Sequence, residues 1–385
     1  MQNFENCGKI FYFDNLHPLP AFVARVSHIA YTILMKIVLT GGGTGGHIMP
    51  NLALVPLLNQ RFETVYYLSG QKDKELVTSL CPSVAYRVCE SIKLKRPIWD
   101  LSNLWIPFGL DKHKKEAIAL LKELAPNLVF SKGGFASLPV VLAAKQLGIP
   151  YVLHESDFTM GLANKLVAKH AVHSLASFEN AIKGQKNGLH IGSPLRKSIY
   201  EGDKNRIDTS NFDKKKPIVL VIGGSQGATA INNCTMLATP ELSTHYNILH
   251  ITGKKHASDF RHKNYLQIPF AFNMGDYLAA SDLVVSRGGA NILFELLALK
   301  KPSLIIPLPK GVSRGDQSQN TNYFAQKNCI LKLDQEDLTP ATLLDSLGQL
   351  HNRRQSLMEA CNTLPALDGT QAIVDLLVSI GTQAK

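Results

Sequence analysis

Short apolar runs rich in β-branched residues recur along the 385-residue chain, each followed by glycine or polar residues and a longer apolar segment. Such runs are typical of strands in a parallel sheet, because helices cover both faces of that sheet. They predict strands at Ile37–Thr40, Thr64–Leu68, Asn127–Ser131, Tyr151–His154, Ile218–Ile222 and Ser303–Pro307. Helices are predicted between them, for example over Ser137–Leu147, which Gly148 and Pro150 end. The alternation predicts an α/β fold.

The first strand runs into a glycine-rich loop, Gly41–Gly46, followed by His47 and an apolar segment with Pro50 near its start. Proline is tolerated in the first turn of a helix, so the pattern predicts a strand, a glycine loop and a helix. A loop without Cβ atoms brings its N–H groups close to an anion, and the helix N-terminus adds partial positive charge. We expect a phosphate or a developing oxyanion there, with a purely structural turn as the alternative.

The glycine pattern alone does not identify the ligand. Gly41–Gly46 contains G-x-G-x-x-G, but a dinucleotide site also needs an acidic residue at the end of the second strand. The strand Thr64–Leu68 is followed by Ser, Gly and Gln, and Asp73 comes late for that purpose. No Gly-Lys-Ser/Thr follows the glycines, which excludes a P-loop.

The same units return in the second half of the chain. Ile218–Ile222 leads into the glycine loop Gly223–Gly227, and Leu128–Gly134 (LVFSKGG) is echoed by Leu283–Gly289 (LVVSRGG). This predicts two Rossmann-like, doubly wound domains whose loops, at the carboxyl ends of the strands, face a central cleft.

The chain length makes two domains the default expectation. We predict a domain over 35–198, a linker over the polar residues 199–216 and a domain over 217–365, with a final apolar helix at Gln371–Ile380. Residues 1–34 lack the basic start of a signal peptide and are too polar for a membrane helix. We expect them to be a dispensable extension, with Met35 as the alternative start.

Composition and net charge limit the kinds of binding partner that the chain is expected to have. A hydrophobic fraction of 45% with 18% charged residues is typical of a globular protein, and no apolar run is long enough to span a bilayer. The formal charge of +11 indicates an anionic partner: nucleic acid, an acidic membrane surface or a phosphorylated small molecule. The six cysteines are scattered, which predicts reduced thiols and no metal site.

Three sets of polar residues are candidates for binding. Glu295, about one turn into a helix after Arg287–Ala290, suits the paired hydroxyls of a ribose, or is a solvated helix residue. Gln317 and Asn320 suit sugar hydroxyls, or belong to an N-capped helix start. Arg196 suits a phosphate or a base, or is a surface arginine.

A basic and aromatic segment lies at Ile92–Lys115 and contains Lys93, Lys95, Arg96, Trp99, Trp105 and Phe108. Aromatic residues flanked by cations fit an anionic membrane surface. They also fit single-stranded nucleic acid, or a core segment with a charged edge. We do not expect nucleic acid, because the glycine loops occur in both halves while the basic cluster occurs once.

Together these motifs resemble the MurG family of peptidoglycan glycosyltransferases, which move N-acetylglucosamine from UDP to undecaprenyl-diphospho-muramoyl-pentapeptide (lipid I to lipid II). The matching residues are Gly42–His47 with Pro50, His154–Glu155, Gly192–Arg196, Gly223–Gly227, Arg287–Glu295, and Gln317 with Asn320. The resemblance implies a GT-B fold, an inverting transfer and no metal or other cofactor. It also implies a peripheral position on the cytoplasmic face of the bacterial cell membrane, and a last helix that returns to the N-terminal domain.

The resemblance further implies which residues bind. Glu295 would bind the ribose, Ser225 the diphosphate and the backbone near Ala271 the uracil, while Arg196 would assist the nucleotide. Ala290 and Gln317 would contact the sugar. The remaining residues of the implied UDP-GlcNAc site are Thr44, Gly45, Gly46, Asp157, Asn291, Ile292, Leu293 and Phe294. The acceptor diphosphate would meet Gly43, Thr44, Gly45, Gly46, Gly133 and Gly134.

The chain departs from the family at His154–Asp157, where the family commonly has His-Glu-Gln-Asn. Asp157 replaces an asparagine, which removes an amide donor and brings a charge near a diphosphate. His47 is our first candidate for the general base, because a histidine titrates near neutral pH. Asp157 is the second, and a structural function for both is the alternative.

Two other enzyme classes remain rivals at this point. One is another UDP-sugar:lipid glycosyltransferase of the same fold, for instance one that glycosylates diacylglycerol. The other is a nucleotide-dependent oxidoreductase, which the missing acidic residue at the strand end disfavours.

Overall fold

The structure, a computed structural model, describes residues 35–91, 106–224, 227–256, 258–309, 315–365 and 367–383. The strands are β1 Lys36–Thr40, β2 Thr64–Ser69, β3 Ala85–Val88, β4 Leu128–Ser131, β5 Tyr151–Glu155, β6 His173–Ala176, β7 Gly188–His190, β8 Ile218–Ile222, β9 Asn247–Ile251, β10 Tyr265–Ile268, β11 Leu283–Ser286, β12 Ser303–Ile305 and β13 Leu331–Lys332. The α-helices are α1 Gly45–Leu58, α2 Gln71–Leu80, α3 Ile106–Leu124, α4 Leu138–Leu147, α5 Leu162–Val167, α6 Thr229–His245, α7 Met274–Ala280, α8 Ala290–Ala298, α9 Asp316–Gln326, α10 Pro340–Cys361 and α11 Thr370–Gln383.

The strands form two parallel sheets, and the predicted doubly wound fold is confirmed. The first sheet has the order β3-β2-β1-β4-β5-β6-β7 and the second β10-β9-β8-β11-β12-β13. In each sheet the strand order reverses between two central strands, and ligands of open α/β sheets bind outside such a switch point. Thr40 pairs with Ser131 at the first switch point, and Ile222 pairs with Ser286 at the second. The four glycine-containing loops that the sequence singles out therefore leave the sheets at these two points.

Each sheet is buried on both faces, as its continuous apolar strands require. Ile37 and Leu39 of β1 face a core that α1 and α11 cover, whereas Val38 faces the opposite core beneath α3 and α4. The second sheet divides in the same way: Leu220 and Val221 of β8 belong to different cores. The two sheets thus form rigid platforms for the loops at their carboxyl ends.

Two segments cross from one domain to the other. Ile373 and Leu377 of α11 are fully buried against β1 and α1 of the first domain, although this helix follows the second domain in sequence. The polar segment 199–216 is packed as well: Ile199, Ile207 and Phe212 lie in the core of the second domain beside Leu220. The domain limits drawn from the sequence remain a prediction.

The position of Pro50 differs from our expectation. Helix α1 begins at Gly45, so Pro50 is its sixth residue and lies in the second turn. The prediction that Pro50 lies in the first turn is wrong, because two glycines with low helix propensity form the start of the helix and conceal its boundary. A proline at this depth leaves the carbonyl four residues earlier, that of Gly46, without its usual donor.

We expect Leu377→Ala to destabilise the first domain, although residue 377 lies near the end of the chain. Its side chain is fully buried, and such truncations cost about 2–5 kcal/mol. Urea unfolding followed by far-UV circular dichroism measures the loss as a lower midpoint. The exposed Ser379→Ala on the same helix is the control. Equal midpoints for the two variants would contradict the packing of α11.

Candidate active site

The loops of the two domains meet at one seam. The Asn291 side chain, on α8, donates from Nδ2 to the Gly46 carbonyl at 3.0 Å, so the first turns of α1 and α8 are in contact. Neither first turn contains an acidic residue. Two helix N-termini therefore bring partial positive charge and backbone N–H groups to the same place, which suits an anionic ligand.

A carboxylate that the sequence analysis set aside holds the first glycine loop. Asp73, in the first turn of α2, accepts from the Gly43 N–H at 3.0 Å and from the Ser69 hydroxyl at 2.6 Å. A Cβ on Gly42 would lie 2.2 Å from the Asp73 carboxylate, so the loop fits this partner only with glycine there. The Gly43 N–H, predicted to meet the acceptor diphosphate, is already bonded inside the protein.

The second loop of this domain places two glycines under His47. Gly133 and Gly134 have φ values of +77° and +76°, a region that side chains other than glycine rarely adopt. The His47 ring lies against Gly134, since a Cβ there would come within 3.2 Å of the ring. The other side of this ring contacts its own loop: Nδ1 is 3.0 Å from the Thr44 hydroxyl. His47 is thus held between the two loops predicted to receive the acceptor.

A buried lysine lies beneath these loops. Lys132 is 2% exposed, and its Nζ donates to Ser156 Oγ at 2.7 Å and to His154 Nδ1. The other ring nitrogen of His154 then carries the proton and donates to the Gly192 carbonyl at 2.9 Å. Burial lowers the pKa of Lys132 to about 7, although Glu155 and Asp157 oppose this shift. Burial, together with the charge of Lys132, holds the pKa of His154 well below its usual value.

The residues after β5 form a turn that crosses the seam. Glu155, buried, accepts from the Gly161 N–H at 2.9 Å and from Asn164 Nδ2 at 3.1 Å, which closes the turn. Asp157 accepts from Asn320 Nδ2 at 3.0 Å, and Asn320 Oδ1 accepts from the Phe158 N–H at 2.8 Å. Asn320 is fully buried on α9, so the predicted sugar ligand is a bridge between the domains in this structure.

Glu295 and Arg196 bind each other. Arg196 donates to Glu295 Oε1 from Nε at 3.0 Å and from Nη2 at 2.7 Å. The Glu295 side chain is only 8% exposed, so the alternative of a solvated helix glutamate is wrong. Both bonds end on one carboxylate oxygen, and Oε2 can still accept from a hydroxyl group.

The other predicted donor residues divide into two groups. Ala290, Asn291 and Ile292 begin α8 at the seam. Leu293 and Phe294 instead point into the core of the second domain, because the helical repeat turns them away from the cleft. Their side chains are buried away from the cleft, and the assignment of these two residues to the donor site stays a prediction.

The remaining two described donor residues lie on loops and on α9. Gln317 Oε1 accepts from the Leu308 N–H at 3.1 Å, and Ala271 is buried beside the exposed Phe272. Several other predicted residues lie outside the described part of the chain: Ser225, Lys93, Lys95, Arg96, Trp99 and Trp105. Phe108 belongs to α3, but its side chain is not among those described.

Sequence reasoning missed Asp73 and Lys132 as parts of this site. A signal for Lys132 did exist, since the echo of LVFSKGG by LVVSRGG aligns it with Arg287. Arg287 is buried as well and donates to the carbonyls of Ile306 and Pro307 at the end of β12. Both cations thus support a loop from beneath. Within the described residues, no cluster of His, Cys, Asp and Glu side chains could hold a metal ion, and no helix has the length and apolar character needed to cross a membrane.

Fold and site together define a two-domain glycosyltransferase. Residues 37–174 match the glycosyltransferase family 28 N-terminal domain, and residues 218–373 match the family 28 C-terminal domain. The chain belongs to glycosyltransferase family 28, and the resemblance to the MurG family is confirmed.

Curated relatives match along almost their whole length. A protein of Clostridium kluyveri is 38% identical over 89% of this chain and 99% of its own length. A protein of Lachnoclostridium phytofermentans is 36% identical over 90% of this chain and 99% of its own length. Both are named UDP-N-acetylglucosamine--N-acetylmuramyl-(pentapeptide) pyrophosphoryl-undecaprenol N-acetylglucosamine transferase.

Solved structures share the fold. Acinetobacter baumannii MurG superposes with a TM-score of 0.69 at 23% identity, over 90% of this chain and 99% of that one. CalG4, the calicheamicin glycosyltransferase, superposes with a TM-score of 0.67 at 13% identity, over 91% of this chain and 100% of that one. Both have the two-domain architecture described above.

The buried lysine predicts a pH dependence of stability. The unfolded chain keeps a lysine pKa near 10.4, so between about pH 7 and 10 it binds more protons than the folded chain. Stability therefore gains up to about 1.4 kcal/mol per pH unit in this window from Lys132. Lys132→Met should remove that gain, measured by urea unfolding followed by far-UV circular dichroism between pH 7 and 9.5.

The matched control is Lys145→Met, which changes an exposed lysine on α4. Its pH dependence should follow the wild type. Parallel curves for Lys132→Met and the wild type would show that Lys132 keeps an ordinary pKa in the folded protein.

Proposed function

We propose that this chain is a hexosyltransferase that moves N-acetylglucosamine from UDP-GlcNAc to undecaprenyl-diphospho-N-acetylmuramoyl-pentapeptide, a step of peptidoglycan synthesis. The observation that carries the proposal is the match to relatives of that name over 99% of their length at 36–38% identity. The seam supports it physically. Both substrates carry a diphosphate, and helices α1 and α8 each direct an N-terminus toward the seam.

On the donor side, Glu295 is suited to hold the ribose. Its carboxylate is fixed by Arg196 through Oε1, so Oε2 is oriented before the nucleotide arrives. A pre-oriented acceptor loses little freedom on binding, which favours affinity. Gln317 can turn its amide toward sugar hydroxyls, since its only described side-chain bond is the one to Leu308.

On the acceptor side, an inverting transfer requires a base that takes the proton of the attacking hydroxyl while the bond to UDP breaks on the opposite face. His47 is half-buried at the N-terminus of α1 and lies between the two acceptor loops. Asp157 also lies at the seam, but its Oδ1 accepts from Asn320. We therefore favour His47 as the base and Asp157 as part of the bridge between domains.

A lipid-linked acceptor requires access to the membrane, and helix α5 offers a described surface for it. Leu162 and Leu166 are 45% and 61% exposed, and the neighbouring Lys165 and Lys169 are exposed as well. Apolar side chains beside lysines suit the interface of an anionic bilayer. This surface supports contact with an anionic bilayer. The lipid-linked acceptor places the proposed enzyme at the cytoplasmic face of the cell membrane, and the proposal includes no nucleic acid as partner.

The test is transfer of radiolabelled N-acetylglucosamine from UDP to lipid I, with diacylglycerol as the competing acceptor. We expect the label to be transferred to lipid I and not to diacylglycerol. Glycosylated diacylglycerol would instead identify another UDP-sugar:lipid glycosyltransferase. UDP should raise the melting temperature in proportion to the logarithm of its excess, and NAD(P) should not.

The base assignment predicts a specific pattern among variants. His47→Ala should lower kcat by about 10²–10⁴, the usual contribution of a general base, and flatten the acid limb of the pH–rate profile. His47→Gln keeps a hydrogen-bond donor but cannot take a proton at neutral pH, so it should be as slow. UDP affinity, measured by calorimetry, should not change in either variant. Near-normal turnover of His47→Gln would contradict His47 as the base, and a steep loss in Asp157→Asn would favour Asp157 instead.

A further inference from the structure

The carbonyl of Gly46 lacks its usual helical donor. In an α-helix this carbonyl accepts from the N–H four residues later, and that residue is Pro50, which has no N–H. The carbonyl oxygen of Gly46 therefore lacks the hydrogen bond that the N–H of residue 50 would otherwise donate. A carbonyl in this state is available to a donor from outside the helix.

Asn291 supplies that donor from the other domain. Its Nδ2 lies 3.0 Å from the Gly46 carbonyl oxygen, and the two residues are 245 positions apart in the chain. The Oδ1 of the same side chain is buried and accepts no hydrogen bond from the described residues. The Gly46 bond is thus the contact that orients the carboxamide, since the reversed amide would oppose two oxygens.

This bond joins the acceptor half and the donor half of the proposed site close to His47 and Glu295. Gly46 immediately precedes His47 on α1, and Asn291 lies four residues before Glu295 on α8. Both helices begin here, and their N-termini carry partial charge of the same sign. The bond holds the two ends together against that repulsion.

We propose that Asn291 is a positioning residue for the transfer reaction: through the carbonyl that Pro50 leaves unbonded, it fixes His47 relative to the donor helix α8. The proposal rests on the proposed function. Asn291 would act through geometry alone. A small misplacement of a catalytic group slows the reaction between two bound substrates but leaves the binding of each unchanged.

The test is a double-mutant cycle between positions 50 and 291. Asn291→Ala should lower kcat about 10- to 100-fold, while the dissociation constant of UDP, measured by calorimetry, changes less than about twofold. Pro50→Ala restores the N–H that competes for the Gly46 carbonyl, so the loss caused by Asn291→Ala should be smaller in that background.

Pro56 provides the matched control. It is the other proline inside α1, it is exposed, and the carbonyl it leaves unbonded belongs to Leu52, far along the helix from Asn291. The effects of Pro56→Ala and Asn291→Ala on kcat should multiply without coupling. Equal coupling with both prolines, unchanged kcat in Asn291→Ala, or a loss confined to UDP affinity would each overturn the proposal.

A second measurement separates this proposal from the proposed function. Spin labels on non-natural residues at the exposed positions Lys145 and Asn322 report the distance between the domains without substrate. Asn291→Ala should broaden that distance distribution, and Pro56→Ala should leave it as in the wild type. If the wild type transfers no sugar but the distribution broadens, the function is wrong and the bond between domains stands. An unchanged distribution shows that the bond does not hold the domains.

Discussion

A fully buried carboxamide, that of Asn320, joins the two domains beside the Asn291–Gly46 and Arg196–Glu295 contacts. A buried amide must satisfy both its donors and its acceptor, and Asn320 does so mainly across the domain boundary, with Asp157 and with the Phe158 N–H. These two bonds fix the turn after β5 against α9. The same turn supplies Ser156 to the buried Lys132, so the loops under His47 and the position of the second domain are set by one connected group of polar residues.

Stability does not explain why so many charged groups are buried beside this seam. Lys132, Glu155, Arg287 and Glu295 are all nearly inaccessible, and each is paired or hydrogen-bonded. Replacing buried ion pairs with apolar residues of similar volume is often neutral or stabilising. Their position does explain them: Lys132, Glu155 and Arg287 lie at or directly after strand ends, and Glu295 lies in the second turn of α8, close to where open α/β sheets bind ligands. They hold the loops in shape without filling the cleft with apolar side chains.

The fold could be predicted from the sequence because its signals are local. Apolar runs identify the strands, and the repetition of glycine loops in both halves identifies two related domains. The site was only partly predictable, since its bonds join residues that no local pattern connects. Arg196 and Glu295 are 99 positions apart, and Asp157 and Asn320 are 163 apart. Local pattern failed at Gly45 as well, where glycines concealed the helix start and placed Pro50 one turn too early.

The seam also has an apolar side, and the contrast between its two sides bears on how substrates enter. Phe178 of the first domain is buried in the core of the second, edge-on to Phe294 at 5.1 Å and to Tyr323 at 5.3 Å. Separating these rings exposes apolar surface to water, and nothing replaces the lost contact. The bonds of Asn291 and Arg196 can be exchanged for bonds to water or to a ligand, so each contributes a net amount of only about 0.5–3 kcal/mol. Breaking the bonds at the glycine loops therefore costs less free energy than separating the aromatic rings, and we expect the aromatic cluster to stay closed while substrates enter.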